Sequence, residues 1–457
     1  MGIIENTTAN TWNRIIRSSQ PALSGGLDLG VLVKDGRPTK QHFYIPQKKR
    51  AEHLVVMGIT GTGKTRLLLS LCLQDILARR GFLYFDHHGD TIRLLLSAIA
   101  EEERRSGEDL SGSVVVIAPG DLDRSVGLNI LESNDGRNVF VEIASITTIL
   151  KNRWGLDHFG APTEEVLRNS LFVLAANNLT LVELAPLLTV PAFRAQCLKQ
   201  VANPDVREYF ELRFEPLSDA MKAVRRDPVL NKLSEFVSDP HFKHILGQQQ
   251  STFSFADVLN QNRWVLVDLS KGRLGRHSST LGSLIFGQIK AAIFRRTSRQ
   301  IFSVYCDEIQ NLLVSDADLD VLLAEARKFG ISVVTANQFL DQFPPEMRSA
   351  VAAVSTHIYF QLSSDDAQKA AATLDGGKSM AEAIRNLPPR QFIAKSGHYS
   401  AQQVLAPTVE VPQSDFSSLL RRSSSLYATP RTEIDRTIKA RRPKAMAQAK
   451  EVLDAWE

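Results

Sequence analysis

The chain has 457 residues, which is enough for two or three domains of ordinary size, each with its own core. Its composition, 43% hydrophobic and 23% charged, is that of a soluble globular protein, and no window of about 18 apolar residues could span a bilayer. The net charge of +4 is close to neutral and does not by itself indicate nucleic acid. No signal-peptide pattern is present and the three cysteines lack metal or disulfide spacing, so we expect a cytoplasmic protein and leave open peripheral attachment to the inner face of the membrane.

The first strong signal in chain order follows a lead-in of residues 1–45, which we expect to contain one short strand. Residues 53–65 read HLVVMGITGTGKT, a short apolar strand that runs directly into a complete phosphate-binding loop. The glycines allow backbone N–H groups to point at a polyphosphate, while Lys64 can reach the β- and γ-phosphates and Thr65 can bind Mg²⁺. The residues predicted to bind nucleotide are Gly58, Thr60, Gly61, Thr62, Gly63, Lys64 and Thr65.

Strand and helix signals then alternate on both sides of a helical block. Continuous apolar strands separated by amphipathic helices predict an α/β fold with a mainly parallel sheet covered on both faces. Between residues 138 and 250 the strand signal fades, and helical spacing with Pro and Asn at the breaks predicts an all-α insertion domain. The α/β domain would therefore be split into residues 46–137 and 251–412, and residues 413–457 would form a Ser-rich hinge and a basic helical tail. The predicted strands after the loop are 82–86, 114–117, 264–268, 302–306, 331–335 and 357–361.

An acidic pair follows the predicted strand at residues 302–306. In a phosphate-loop ATPase, a carboxylate in this place holds the Mg²⁺ water shell, a role that we assign to Asp307, and Glu308 would orient and polarise the attacking water. The plain alternative is an acidic helix N-cap, and the pair alone does not decide between the two. Together with the phosphate-binding loop, the pair favours ATP hydrolysis. Asp86 and Asp268 also end strands and are second choices for the metal carboxylate, because neither is followed by a glutamate.

Two further polar residues follow the acidic pair. Arg327 ends a helix just before a glycine, where a cation is explained by the helix dipole; the alternative is an arginine finger that reaches the γ-phosphate held by a neighbouring subunit. Gln338 comes directly after the next strand, at the sheet edge where a nucleotide would lie. Its amide could sense the γ-phosphate, or it could be an ordinary turn residue.

Six separated motifs in order resemble the HerA–FtsK superfamily of pumping ATPases, and within it the TraG/TraD-type conjugative coupling proteins and their soluble type IV secretion relatives. They are GITGTGKT, FDHHGD, GLNIL, VYCDEIQNLL, LAEARKFGISVVTANQFLDQF and the ILGQ…LVDLSKGRLG segment, between residues 28 and 412. The resemblance implies a RecA-like motor domain with an all-α insertion, hexameric rings, ATP hydrolysis at subunit interfaces and DNA in a central channel. It implies that Lys64 and Thr65 are the Walker A pair, Asp307 and Glu308 the Walker B pair, Arg327 the finger and Gln338 the sensor.

Two departures from this family matter. Relatives that couple DNA transfer to a membrane channel usually begin with two transmembrane helices, and no such helix is predicted here. Their second-strand motif is commonly Asp-Pro-His-Gly-Asp, whereas this chain has His87 in place of the proline. We regard His88 and Asp90 as candidates for the edge of the nucleotide site only. His87 and His88 are not predicted to form a metal site, because no third ligand lies at useful spacing.

The leading functional hypothesis is an ATP-driven DNA translocase for conjugative or mobile-element transfer through a type IV secretion-type system, with ATP and Mg²⁺ as cofactors. Alternatives are a protein-translocating secretion ATPase and a cytosolic HerA-like helicase in DNA processing or defence; a nucleotide switch with little hydrolysis is disfavoured by Glu308 and Arg327. Expected partners are DNA, further copies in a homohexamer, a membrane subunit or secretion-channel component, and a relaxase or accessory proteins. Basic residues that could line a DNA channel, although surface roles are as plausible, are Lys271, Arg273, Arg276, Arg295 and Arg296.

Overall fold

The computed structural model describes residues 25–119, 123–132, 138–314, 316–343 and 345–443. These residues form two compact units. Of the described residues, one unit comprises residues 25–116, 255–272 and 292–423, and the other comprises residues 117–254, 273–291 and 424–443. The domain boundaries predicted from the sequence stay predictions.

The first unit is built on an eleven-stranded sheet with the order β2-β1-β12-β11-β10-β3-β9-β8-β4-β7-β5. Six adjacent strands of this sheet, from β10 to β7 in that order, pair in parallel. The sheet continues beyond β10 with antiparallel pairs that involve β11, β12, β1 and β2. The strands are β1 Gly26–Lys34, β2 Arg37–Pro46, β3 Leu54–Met57, β4 Phe82–Asp86, β5 Val114–Ile117, β7 Trp264–Asp268, β8 Phe302–Asp307, β9 Ile331–Asn337, β10 Thr356–Tyr359, β11 Gln391–Ser396 and β12 Gln402–Leu405. The predicted α/β class with a mainly parallel sheet is confirmed. The short strands β6 Arg124–Ser125 and β13 Thr429–Pro430 pair with each other in the second unit.

The α-helices of the described residues are, in chain order, α1 Lys64–Leu77, α2 Asp90–Ser106, α3 Val139–Trp154, α4 Ala161–Ala176, α5 Leu184–Thr189, α6 Pro191–Leu198, α7 Pro204–Glu208, α8 Asp219–Val237, α9 Pro240–Leu246, α10 Phe255–Asn260, α11 Lys271–Leu274, α12 Ser278–Ile293, α13 Asp316–Glu325, α14 Pro345–Ala352, α15 Ser364–Thr373, α16 Lys378–Arg385, α17 Ser417–Tyr427 and α18 Arg431–Arg441. Helices α3 to α9 fall within the segment that was predicted to be all-α. No single helix of the described chain has the length and hydropathy of a membrane span, although the bent pair 181–189 and 191–198, which meet at 114°, passes that test jointly.

Burial explains why the central strands read as continuous apolar runs. Every residue of β3, β4, β7 and β9 is buried, so side chains of both faces must be compatible with a core. Helix α1 packs against this sheet through leucines such as Leu67, Leu68 and Leu71, which are at most 1% exposed. The helix that carries the phosphate-binding loop is therefore held rigidly on the sheet.

A fully buried ion pair lies in the core near the amino ends of β3 and β8. Arg50 donates to both carboxylate oxygens of Asp75 at 2.8 and 2.6 Å, and both side chains are 0% exposed. The Tyr305 hydroxyl donates to the same carboxylate at 2.7 Å, and Arg50 also donates to the Ser303 hydroxyl at 2.7 Å. Because Asp75 lies on α1 and Tyr305 lies on β8, these bonds join the helix of one nucleotide motif to the strand of the other.

Two expectations for the chain ends need correction. The lead-in was expected to contain one short strand, but it contributes β1 and β2, of 9 and 10 residues, to the sheet. The serines at residues 417–425 were expected to form a hinge, but they lie in α17, where Leu419 is 1% exposed and the Ser423 hydroxyl donates to the carbonyl of Val114 at 2.6 Å. Burial of the leucine and a satisfied hydroxyl outweigh the weak helix preference of serine. Residues 1–24 and 444–457, included in the predicted lead-in and tail, lie outside the described residues.

Candidate nucleotide-hydrolysis site

The carboxyl ends of three parallel neighbours, β3, β9 and β8, place the predicted site residues along one edge of the sheet. The phosphate-binding loop, residues 58–65, leaves β3, Gln338 follows β9, and Asp307 ends β8. Parallel strands present their carboxyl ends at the same edge, so residues that are far apart in sequence become neighbours.

Glycine geometry shapes the phosphate-binding loop. Gly61 and Gly63 have φ of 84° and 115°, a left-handed backbone that favours glycine, and Gly63 precedes the first residue of α1. A Cβ atom on Gly58 would lie 2.6 Å from the Cβ atom of Phe360, so the close approach of the two backbones requires a glycine there. The loop is further tied to the sheet because the N–H of Gly58 donates to the carbonyl of Asn337 at 3.2 Å.

Lys64 reaches back across the loop. Its ammonium donates to the carbonyl of Gly58 at 2.6 Å and to that of Ile59 at 3.2 Å. Burial lowers the pKa of Lys64, and the carboxylates of Asp307 and Glu308 oppose that effect. The loop therefore holds a cation where the negative charge of a polyphosphate would lie.

Thr65 and Asp307 provide oxygen atoms suited to a magnesium ion. The Thr65 hydroxyl donates to Asp307 Oδ2 at 2.8 Å, and Asp307 is only 5% exposed. Burial raises the pKa of Asp307, while the hydrogen bond from Thr65 and the charge of Lys64 oppose this. A hydroxyl and a carboxylate at this spacing are the hard oxygen ligands that Mg²⁺ prefers, so these residues fit the ion.

Glu308 has an unusual backbone and a restrained carboxylate. Its φ and ψ of 59° and 55° are left-handed, which is costly for a non-glycine residue and is typical of functional sites. Its N–H donates to the carbonyl of Ala336 at 2.7 Å, which fixes that backbone against β9. Its carboxylate accepts from Asn311 Nδ2 on Oε2 and from Gln338 Nε2 on Oε1, both at 3.0 Å.

Gln338 connects the loop to Glu308. While its amide nitrogen donates to Glu308, its Oε1 atom accepts from the Thr60 hydroxyl at 3.4 Å. The backbone N–H of Gln338 is held by Gln342 Oε1 at 2.8 Å. The side chain thus lies between the tip of the loop and Glu308.

Asp86 and Asp268, the second choices for the metal carboxylate, accept hydrogen bonds from backbone N–H groups of the loops that follow them. Asp86 accepts four backbone N–H groups at 2.9 to 3.1 Å, those of residues 88, 89, 91 and 92, and so caps the turn into α2. Asp268 accepts from the N–H of Ser270 at 2.9 Å. His88 and Asp90 are exposed. The charge interaction with His88 lowers the pKa of Asp307, but burial raises that pKa by more. Asp307 is therefore the carboxylate that the geometry places beside the phosphate-binding loop.

Arg327 lies at the opposite edge of the sheet. It precedes the amino end of β9, and its guanidinium forms an ion pair at 3.3 Å with Glu52, which precedes the amino end of β3. Its side chain is 64% exposed. Since the seven residues of β9 separate the two edges by roughly 20 Å, Arg327 cannot reach the nucleotide site of its own chain.

One of the basic channel candidates has a structural role. Arg296 is 2% exposed and donates to the backbone carbonyls of Leu259 at 3.0 Å and Phe329 at 2.7 Å. Burial lowers its pKa to about 10. A guanidinium enclosed in this way is not available to a DNA backbone, so Arg296 is removed from the candidates. Lys271 is exposed and remains one.

Sequence reasoning missed the amide side chains of the turn after Asp307. Asn311 holds Glu308, and Gln310 accepts from Asn337 Nδ2 at 2.5 Å at the buried end of β9. The available signal was the polar pair Gln310-Asn311 inside an otherwise apolar stretch, IQNLL, directly after the acidic pair.

Comparison with known proteins identifies the fold. No protein-family profile and no curated protein sequence matches the chain. Among solved structures, unbound TrwBΔN70, a bacterial conjugative coupling protein, superposes with a TM-score of 0.59 at 16% identity over 89% of this chain and 94% of that one. TrwB in complex with ADP and Mg²⁺ gives 0.60 at 18% identity over 85% and 96%. The chain has the fold of TrwB.

The same fold likeness extends to VirB4. VirB4 of Thermoanaerobacter pseudethanolicus matches with a TM-score of 0.53 at 12% identity over 84% of this chain and 97% of that one. The predicted fold class, a RecA-like P-loop ATPase fold with a mainly parallel sheet, is therefore confirmed. The identities are low, so these likenesses concern the fold.

Proposed function

We propose that this protein is a P-loop ATPase motor of the type IV secretion class, and more specifically that it translocates DNA in conjugative or mobile-element transfer. The observation that carries the proposal is the meeting of Lys64, Thr65, Asp307, Glu308 and Gln338 at one edge of the sheet. The loop supplies a cation and glycine-shaped backbone, and the neighbouring strand supplies two carboxylates. These are the parts that phosphoryl transfer to water needs.

Each residue has a distinct task in the proposed hydrolysis. The loop N–H groups and Lys64 hold the phosphates of ATP, and Thr65 and Asp307 hold Mg²⁺ in place. When bound, Mg²⁺ supplies neutralisation of the charge that develops on the phosphoryl group. Glu308 orients and polarises the attacking water, and Gln338 sets the position of Glu308 relative to the loop. Catalysis would arise chiefly from positioning and charge stabilisation.

The position of Arg327 supports a ring in which sites are shared between copies. A finger located roughly 20 Å from its own site can only act on a neighbour, provided that the subunits are arranged head to tail. Its exposure leaves it accessible to such a neighbour. A head-to-tail contact that closes produces a ring, and we propose a homohexamer.

The choice of DNA as cargo rests on the likeness to TrwB, a conjugative coupling protein by description, and on the motif resemblance. The fold likeness to VirB4 is weaker, with a TM-score of 0.53. A secreted protein is the competing cargo. A membrane subunit or secretion-channel component, and a relaxase or accessory protein, are the proposed partners. With these partners, the protein would act in the cytoplasm at the inner face of the membrane.

A paired measurement of hydrolysis and mass tests the proposal. ATPase rates would be measured without nucleic acid, with single-stranded DNA and with double-stranded DNA, each at several salt concentrations, alongside the native mass of the assembly. Stimulation by DNA that declines with salt, together with a hexamer mass, supports a DNA translocase. Stimulation by a secreted protein but not by DNA would favour the competing cargo. Absence of Mg²⁺-dependent ATP hydrolysis under all conditions would refute the motor assignment.

A further inference from the structure

We propose that Asn311 is a positioning residue that holds the catalytic carboxylate of Glu308 in its working orientation; this inference rests on the proposed function. The Asn311 amide donates to Glu308 Oε2 at 3.0 Å. The other oxygen, Oε1, is the one that faces Gln338. The two amides therefore hold the two carboxylate oxygens separately.

Backbone geometry explains why the glutamate needs such support. The left-handed conformation of Glu308 directs the chain out of β8 and into the 3-10 turn Ile309–Asn311, so Asn311 follows Glu308 by three residues and lies beside it. The N–H of Asn311 also donates to the carbonyl of Glu308 at 3.0 Å. A carboxylate that rotates about its own side-chain bonds would otherwise leave the line between water and the γ-phosphate, and misplacement of about 1 Å can reduce a rate by roughly 100-fold.

The turn that carries Asn311 is itself anchored to the sheet. Gln310 accepts from Asn337 Nδ2 at 2.5 Å, and Asn337 is 0% exposed at the end of β9. Ile309 is also 0% exposed. The turn that supports Glu308 is thus held by a hydrogen bond to the end of β9 and by a buried isoleucine.

The two amide contacts of Glu308 differ in what they connect. Gln338 also accepts from the Thr60 hydroxyl of the phosphate-binding loop at 3.4 Å. Asn311 belongs to the 3-10 turn that directly follows Glu308. We therefore assign the orientation of Oε2 to Asn311 and that of Oε1 to Gln338.

The test uses the full-length chain with the substitutions Asn311→Ala, Asn311→Leu and Asn311→Gln. Alanine removes the donor, leucine removes it while retaining side-chain size, and glutamine retains an amide. The first two should lower kcat for ATP by about 10- to 100-fold with KM changed less than about threefold, and Asn311→Gln should recover part of the loss. Asn231→Ala, an exposed asparagine on α8, is the matched control and should leave kcat unchanged.

A double-mutant cycle separates positioning from a merely structural role. In a Glu308→Gln background, single-turnover hydrolysis should fall by less than about twofold on adding Asn311→Ala, because the group that Asn311 positions has already been disabled. Equal losses in both backgrounds, or a wild-type kcat in Asn311→Ala and Asn311→Leu, would overturn the inference while leaving the motor assignment standing. If the wild-type chain hydrolyses no ATP, the proposed function and this inference fall together.

Discussion

Thr65 and Asp307 are separated by 242 residues in the chain, and yet the hydroxyl of the first donates to the carboxylate of the second at 2.8 Å. This contact joins the phosphate-binding loop to the acidic pair across the intervening strand β9. The two motifs that the sequence shows separately, the loop and the acidic pair, therefore form one site.

Replacing Lys64 by alanine should reduce ATP hydrolysis by at least about 100-fold, because the loop would lose the cation that faces the phosphates. Nucleotide affinity should fall as well. Steady-state ATPase assays and binding of a fluorescent ADP analogue would measure both effects. Lys199→Ala, at an exposed lysine, serves as the control. Hydrolysis within twofold of the wild-type rate would contradict the role given to Lys64.

Glu308→Gln should trap bound ATP. The substitution preserves shape but removes the charge that polarises water, so turnover should fall by about 100- to 1,000-fold while ATP binding persists. Rapid filtration with labelled ATP would detect the trapped nucleotide. Glu382→Gln, on the exposed side of α16, is the matched control. Wild-type turnover in purified Glu308→Gln would show that another group activates the water.

Arg327→Ala should poison mixed assemblies. If Arg327 completes a neighbour's site and hydrolysis passes from site to site around the ring, one variant subunit stalls the whole ring, so activity should fall faster than the wild-type fraction when the two chains are mixed before assembly. The neighbouring Lys328, ion-paired with Glu325, offers the control Lys328→Ala. A strictly linear decline would indicate that the sites work independently of one another, and full activity of assemblies made only of Arg327→Ala would indicate that Arg327 only ends its helix and pairs with Glu52.

Asp75→Ala should destabilise the first unit by about 3 to 5 kcal/mol, because Arg50 would remain as a buried and unpaired charge. The shift of the urea midpoint for the sheet unit would measure this. Adding Arg50→Met should restore part of the loss, since the buried charge is then removed. Breaking the surface pair of Arg213 and Glu165 with Glu165→Gln should cost less than about 1 kcal/mol. Comparable costs for the two pairs would contradict the importance given to burial.

Stability should fall as the pH decreases from about 6.5 toward 4, in part through His53. Burial lowers the pKa of His53 to about 4, and its ring is satisfied as a neutral group, with Nε2 bonded to the carbonyl of Leu323 and Nδ1 accepting from Val333. The unfolded chain binds the proton near pH 6.5 and the folded chain does not, so the stabilisation is complete above pH 6.5 and is lost as pH falls through the folded value. The loss is about 3 kcal/mol at most.

Denaturation of wild type and His53→Gln at several pH values would check this dependence. Glutamine can supply a donor and an acceptor without titrating, so the variant should show a shallower fall between pH 6.5 and 4. The difference between the two chains isolates His53 from other titrating groups. Parallel curves would show that His53 does not contribute.

Much of the fold could be predicted because its signals are local. The apolar runs that became β4, β7, β8 and β9 have the composition of strands buried on both faces, and the predicted positions agree with the structure to within a few residues. The hairpin of β1 and β2 was not fully predicted, since β2 lies at the edge of the sheet, buries only Phe43 and Ile45, and so lacks a continuous apolar pattern. The serines of α17 misled for a related reason: their local preference is for turns, and only tertiary burial makes them helical.

The sequence by itself determined the chemistry available to this protein: a loop whose glycines and lysine suit a polyphosphate, and an acidic pair that suits Mg²⁺ and water. Those features depend on residue type and close spacing, which a linear chain displays directly. The tertiary structure alone decided which groups meet. In the folded chain Asp307 lies beside Thr65, and Asp86 caps a helix. Asn311 and Gln338 each bind one carboxylate oxygen of Glu308. Arg327 lies at the opposite edge of the sheet, where it pairs with Glu52. The reason is that strand order and direction in a sheet, which local patterns do not encode, fix the neighbours at each edge.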